Sequence, residues 1–510
     1  MRTRSFLRLS PLLLSVLAIC TAAGQSLADF EKKVTEFTLP NGLKFLVIER
    51  HDAPVVSFHT YVNAGAVDDP SGDTGLAHMF EHMAFKGTPQ IGSKNWPLEK
   101  KALDHIEVIY DKLDAEKNKA RGGVKPNEER LKALEAELKD AIESADSFVE
   151  PNEYDRIVES NGGVGMNAGT SEDSTQYFYS FPSNRLELWF LLESERFLHP
   201  VLREFYKERD VVREERRMRV ESSPQGMLIE TLLATAFEAH PYHNWAGGWP
   251  SDIESLRRTE AEAFYKKYYV PSNLIIAIAG DVNAAEARKL ATKYFGRLHS
   301  APLPPLVRTE EPPQVGEKRV KVASPAQPLL VIGYKRPDEL SPDDAALDVL
   351  GEILTGGRTG LMYTEMVRDK QLSLGLQAIP SFPGGKYPSL FLLFMVPAGG
   401  HTVEDNEKAA YEIVERVKNT KIDAAALQRV KTKLRAGVIM SLASNSGLAE
   451  TLTSYQASHG DWRRLFTELE DYNKVTVEDV QRVARKYLVE TSRTVAYTYA
   501  PAQAAAQGGK

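Results

Sequence analysis

The same ending occurs twice in this chain. A helix-patterned stretch closes on Lys267-Tyr268 and gives way to an apolar strand at 274–279. A second stretch, 476–487, closes on Lys486-Tyr487 and gives way to a strand at 494–499. Between the copies, residues 301–317 carry Pro302, Pro304, Pro305, Pro312 and Pro313 and read as a linker. A length of 510 residues exceeds what one ordinary core holds. Repeat and length together predict an α+β chain of two homologous halves, 29–300 and 318–510, joined by the linker 301–317.

Within the first half, apolar runs at 34–39 and 43–49 flank Pro40-Asn41-Gly42, a hairpin signal, and a third strand follows at 55–62. Asp73 and Thr74 offer caps for a helix over 76–83. Strands are expected at 162–167 and 175–181, then one long helical stretch from 185 to about 220. Residues 94–154 are an insertion of different character, rich in charge. Leu98, Ala102, Ile106, Ile109 and Leu113 recur at helical spacing, as do Leu131, Leu134, Leu138 and Ile142. Gly122-Gly123 and Pro126 separate the runs, predicting two amphipathic helices packed on their own half. The second half opens with a strand at 329–334, a helix at 342–354, a Gly356-Gly357 turn and another helix.

The N-terminus reads as an export signal, a retained membrane anchor being the competing reading. Arg2, Arg4 and Arg8 precede a short apolar run at 12–19, and Ser26-Leu27-Ala28 fits a signal-peptidase site. The expectation is a signal peptide at 1–28 and a periplasmic protein if the source is Gram-negative. Cys20 is the only cysteine, so a mature chain cut after Ala28 has neither disulfides nor thiolate metal ligands. Any metal there must be held by histidines and carboxylates. A net charge of −7 gives no case for nucleic acid as a partner, and no membrane span is expected in the mature chain.

The chemistry concentrates in Gly75-Leu-Ala-His78-Met-Phe-Glu81-His82-Met-Ala-Phe-Lys-Gly87-Thr88. Residues four apart on a helix differ by about 40° in direction, so His78 and His82 share a face and can reach one zinc ion. Glu81 lies beside them, placed to take a proton from water at the metal and pass it on. Leu76, Met79, Phe80, Met83 and Phe85 mark the segment as buried, where unpaired polar groups are costly. A third ligand should come from another element. The helix-patterned stretch 206–215 offers Glu208, Glu214 and Glu215, and spacing alone leaves all three open.

His78-x-x-Glu81-His82 is the inverted zinc motif. With its Gly-Leu-Ala-His start and Phe-Lys-Gly-Thr end it resembles the pitrilysin/insulinase family, in particular the mitochondrial-processing-peptidase-like branch. Glu208-Arg209-x-x-Val212-x-x-Glu215 matches the second family motif. That resemblance implies Glu215 as third zinc ligand and Glu208 as a supporting carboxylate. It further implies two α/β-roll halves forming a clamshell around a peptide-binding cleft, the second half being catalytically inactive. Activity would be that of a zinc-dependent endopeptidase with one Zn2+ per chain, cleaving peptides or unfolded segments. The alternative is a non-catalytic core or scaffold subunit of the same fold. Gly162-Gly163-x-x-x-Asn167-Ala168-x-Thr170-Ser171 resembles the family's substrate-pairing edge strand, implying roles for Asn167 and Ala168. Active members also carry an arginine and a tyrosine in the inactive half. Arg368 matches the arginine, but no tyrosine stands at 374–376. By resemblance, a second family subunit or a homodimer is therefore expected. The insertion at 94–154 lengthens the path from His82 to Glu215 and, lying between elements, is expected to leave the site undisturbed.

Overall fold

A computed structural model describes residues 31–501. The expected signal peptide, 1–28, lies outside the described residues. Strand alternation dictates the layering. In β2 (Lys44–Glu49) Phe45 and Val47 point to one side, Leu46 and Ile48 to the other, and all four are fully buried. The sheet must therefore be covered on both faces.

That sheet has the order β1-β2-β6-β3-β5-β4, with β1 Val34–Thr38, β3 Val55–Val62, β4 Val164–Thr170, β5 Thr175–Pro182 and β6 Leu274–Gly280. The second sheet runs β7-β11-β8-β10-β9, with β7 Lys318–Ala323, β8 Leu330–Arg336, β9 Ser373–Phe382, β10 Ser389–Pro397 and β11 Arg493–Tyr499. The two share one plan. β2 pairs parallel with β6, and β7 pairs parallel with β11; every other neighbour is antiparallel. The repeated Lys-Tyr helix and its strand are the units ending in β6 and β11. By the same register, β4 and β9 are corresponding edge strands.

Each sheet borrows a helix from the other half. Helix Asn445–His459 and Trp462 lie on the outer face of the first sheet, where Leu448 and Leu452 meet Leu46, Ile48, Ala277 and Ala279. Helix Pro224–Ala236 lies on the second sheet, where Leu228, Leu232 and Leu233 meet Val331, Leu390, Leu392 and Ala496. Asp173, in the β4–β5 turn, also ties the halves. It accepts hydrogen bonds from Tyr242 (2.6 Å) and from the backbone N–H of Gly385 and Lys386 (2.8 and 3.0 Å).

The long helix expected from 185 to about 220 is two helices, Leu186–Leu198 and Phe205–Arg216. Pro200 forces the break: it has no N–H to donate and drives His199 out of helical geometry, to φ −139. The insertion folds as helices Trp96–Lys117 and Glu128–Asp146. Leu103, Ile106, Ile109 and Tyr110 of the first join the core of the first half.

Candidate metal centre

The motif helix, Leu76–Met83, is capped from a distance. Asp69, rather than Asp73 or Thr74, accepts hydrogen bonds from the N–H groups of Gly75 and Ala77, both at 2.8 Å. Thr74 instead donates to Asp252 (2.7 Å) and accepts from the N–H of Trp249. Gly75 sits at φ +90, the left-handed region where a side chain is strained. Beyond the helix, Arg203 fixes the Phe-Lys-Gly-Thr turn. Its guanidinium donates to the carbonyls of Lys86, Thr88 and Ile91 and pairs with Glu99 at 2.7 Å. The helix thus enters and leaves at fixed angles, with Met79, Phe80 and Met83 in the core.

His78 and His82 present ring edges to one point, with centroids 4.9 Å apart and planes at 86°. Helix Phe205–Arg216 packs alongside and delivers Glu215 to that point. Its Oε2 lies 3.4 Å from His82 Nε2 and 3.7 Å from His78 Nε2. One ligand atom from each of the three falls within 4.8 Å of the others. A tetrahedral zinc with bonds near 2.0–2.2 Å spaces its ligand atoms about 3.3–3.5 Å apart. The donor set and its spacing therefore fit such an ion. Glu214 is turned away, half exposed and paired with Arg217 at 2.6 Å.

Supporting groups set the state of each ligand. His82 Nδ1 faces Glu208 Oε2 at 3.3 Å, which fixes the Nδ1–H; without an ion Nε2 carries a second proton toward Glu215, which a bound metal would displace. Glu208 is bound in turn by Lys86 at 2.5 Å, and Lys86 also reaches Glu204 at 3.1 Å. Burial disfavours a charged His82, but the Glu208 and Glu215 carboxylates outweigh it and hold the ring up at about 9. Burial pushes Glu208 up, but His82 and Lys86 win and hold it at about 2. Glu215 sits at about 2 through its bond to His82, and Arg219 holds its other oxygen at 2.7 Å. Burial, reinforced by the neighbouring His82, brings His78 down to about 4, so it is neutral, as a metal ligand must be.

Glu81 is next to the ligands but not among them. Its Oε2 accepts a hydrogen bond from the Thr170 hydroxyl at 2.5 Å. Burial pushes its carboxyl above the ordinary range, the direction that suits a general base near neutral pH. Thr170 ends β4, so the edge strand and the acid–base group are directly joined. Asn167 and Ala168 line the same 470 Å³ cavity, and Asn167 Oδ1 accepts from the Ala168 N–H at 2.9 Å.

The insertion contributes to the wall of this cavity and leaves the ligand triad intact. Val149, Glu150 and the start of helix Glu153–Ser160 form part of its wall, because Gly92 pairs back onto Glu150 and Glu153 at the insertion's two ends. Arg368 is absent from the lining; it is exposed and paired with Asp369 at 2.7 Å. Sequence reasoning did not single out the bond from Thr170 to Glu81, the Lys86 bridge or Arg219. The signals for Thr170 were its place in the edge-strand motif and its period-two spacing from Ala168. His240, elsewhere in this half, has a structural role: its ring packs on Tyr242 and Tyr387 at 4.6 and 4.9 Å.

A two-repeat α+β clamshell with an inverted His-Glu-His helix and a distant glutamate defines a metallopeptidase-like class. The chain belongs to the insulinase family, peptidase family M16: its profile matches residues 44–102 and 143–246, and the M16 inactive-domain profile matches 255–434. The stretch left out of the first match falls in the helical insertion. A relative, zinc protease PqqE of Helicobacter pylori, is 28% identical over 95% of this chain and 96% of its own. The probable mitochondrial-processing peptidase subunit beta of Arabidopsis thaliana is 22% identical over 90% of this chain and 77% of its own. The crystal structure of a protease from Helicobacter pylori superposes with a TM-score of 0.76 at 26% identity, covering 92% of this chain and 99% of that one.

Proposed function

We propose that this chain is a zinc-dependent endopeptidase acting on peptides or unfolded segments. The observation that carries the reading is a convergence. The three candidate ligands, Glu81 and the edge strand β4 all face one cavity. His78, His82 and Glu215 would hold the ion. When bound there, zinc supplies polarisation of the scissile carbonyl and a more acidic water. An extended substrate adds to β4 as a further strand, its backbone meeting the Asn167–Ala168 edge. Glu81 accepts the attacking water's proton on its carboxylate and returns it to the leaving amine nitrogen. Thr170 keeps that carboxylate aimed while the proton moves.

Metal analysis with peptide-library cleavage tests this. The wild type is expected to bind about one zinc and to cleave. Glu81→Gln keeps the zinc and loses activity by about 10²-fold or more, since an amide accepts no proton. Glu215→Gln loses zinc, while Glu214→Gln retains it. Full activity in the Glu81 variant, or loss of metal on changing Glu214 alone, overturns the assignment.

Two further parts belong to this reading. The exposed, Asp369-paired Arg368 leaves substrate orientation short of groups from the second half, which supports pairing with a second family subunit or a second copy of this chain. Robust turnover by a single-chain species of measured mass would remove that need. Export with cleavage near Ala28 rests on the residues at 1–28, and the mass of the mature N-terminus decides it.

A further inference from the structure

The second half, which offers no metal ligands to the site above, holds a cavity of 240 Å³ that shares no lining residue with the metal cavity. It opens between helices Asp344–Thr355, Val403–Asn419 and Ala424–Ser441. Its walls are mostly aliphatic: Ile353 and Val417 at the buried end, then half-buried Leu361, Ile422, Ala426 and Val430. Such a surface excludes water poorly unless filled.

The mouth is basic. Arg416, Lys421, Arg429 and Lys433 line it, against Glu352 and Asp423. Three of the four cations are already engaged: Arg416 with Glu365, Lys421 with Glu478 at 2.5 Å, and Lys433 with Glu352 at 2.6 Å. Asp423 is committed to the N–H of Ala426, at 3.1 Å. Arg429 alone among the four has no ion-pair or hydrogen-bond partner among the described residues. An apolar chamber with one uncommitted guanidinium at its entrance matches an apolar chain ending in a carboxylate.

We propose that this cavity binds a medium-chain fatty carboxylate, tail inward and head on Arg429. The volume sets the size. At interior packing density, about 0.75, it takes about 180 Å³ of ligand, roughly an eight- to ten-carbon acid. The walls set the chemistry. Peptide N–H and C=O groups would need several partners, and the lining offers only two hydroxyls, Thr420 and Thr359, the latter already donating to the Gly356 carbonyl. An unbranched alkyl chain needs none.

The test is calorimetric titration of the full chain with octanoate, butanoate, octyltrimethylammonium and acetyl-leucyl-leucine. Arg429→Glu and Ala426→Phe are the variants, each checked for fold by circular dichroism and melting. Saturable one-to-one binding of octanoate is expected. Butanoate should bind at least about tenfold more weakly, since each methylene removed costs about fourfold. Arg429→Glu, on the surface, should weaken octanoate at least about tenfold, and Ala426→Phe, which fills the chamber, should abolish binding. Absence of octanoate binding overturns the proposal. So does equal binding by the cationic amphiphile, tighter binding by the dipeptide, or binding that survives Ala426→Phe. Removing metal with a chelator should leave octanoate binding unchanged, so this outcome is independent of the peptidase reading.

Discussion

At the scale of single residues, the site separates groups that hold the metal from groups that aim them. Thr170 belongs to the second kind. Its hydroxyl is 2.5 Å from Glu81, and nothing in the metal triad depends on it. A hydrogen bond to a charged group is worth about 1.5–3 kcal/mol, so Thr170→Val should lower kcat about tenfold or more while leaving zinc content unchanged. Thr170→Ser keeps the hydroxyl and should restore most of the rate. Equal kcat in the valine and wild-type enzymes would remove Thr170 from the acid–base step. The contrast with the metal ligands shows what a sequence reveals. His78 and His82 are four apart on one helix, so geometry follows from spacing. Glu215 and Thr170 reach the site only through tertiary packing, and no local period separates Glu215 from Glu208 or Glu214. The family resemblance supplied that choice, and here Glu215 is the one whose carboxylate lies beside both rings.

At the scale of elements, strands and helices were legible where periodicity was strong, as in β3 and the motif helix. The misreadings have local causes. A distant carboxylate, Asp69, caps the motif helix in place of its sequence neighbours. One proline splits what reads as a continuous apolar period between 185 and 220. The exchange of helices between halves leaves no trace in a linear pattern, because Leu448 and Leu452 look like any buried helical face. That exchange makes a prediction. Leu452, fully buried against the first sheet, belongs by sequence to the second half. Leu452→Ala should cost about 2–5 kcal/mol. Probes placed in either half should report the same lowered unfolding midpoint. A loss confined to the second half would show that the borrowed helix does not couple the two.

At the scale of the whole molecule, stability should depend on pH through a residue in the same interface. His59, in β3, faces the borrowed helix, with Nδ1 2.8 Å from the Thr453 hydroxyl. Burial brings it from 6.5 down to about 4, so it stays neutral when folded while the unfolded chain still takes up its proton. The unfolded state therefore binds more protons between those values, and stability falls as pH drops from 6.5 toward 4. A difference of about 2.5 units corresponds to about 3 kcal/mol. His59→Gln, which keeps a polar partner for Thr453 without titrating, should make that part of the stability–pH curve shallower in denaturant melts, leaving the contributions of the likewise buried His78 and His240; an unchanged slope would assign it to other groups. The two-half plan was legible from the repeated Lys-Tyr ending and the proline-rich linker, whereas the interlocking of the halves was not. That interlock reaches back to synthesis. A chain emerging N-terminus first completes the strands of its first sheet at residue 280, yet the helix that covers Leu46, Ile48, Ala277 and Ala279 is not made until residue 459 of 510. Through that interval an aliphatic sheet face lies open on a nascent polypeptide, a state that invites aggregation unless something shields it. The first half cannot finish folding at the ribosome ahead of the second, whereas the helix the second half borrows, Pro224–Ala236, is already made when its own strands emerge.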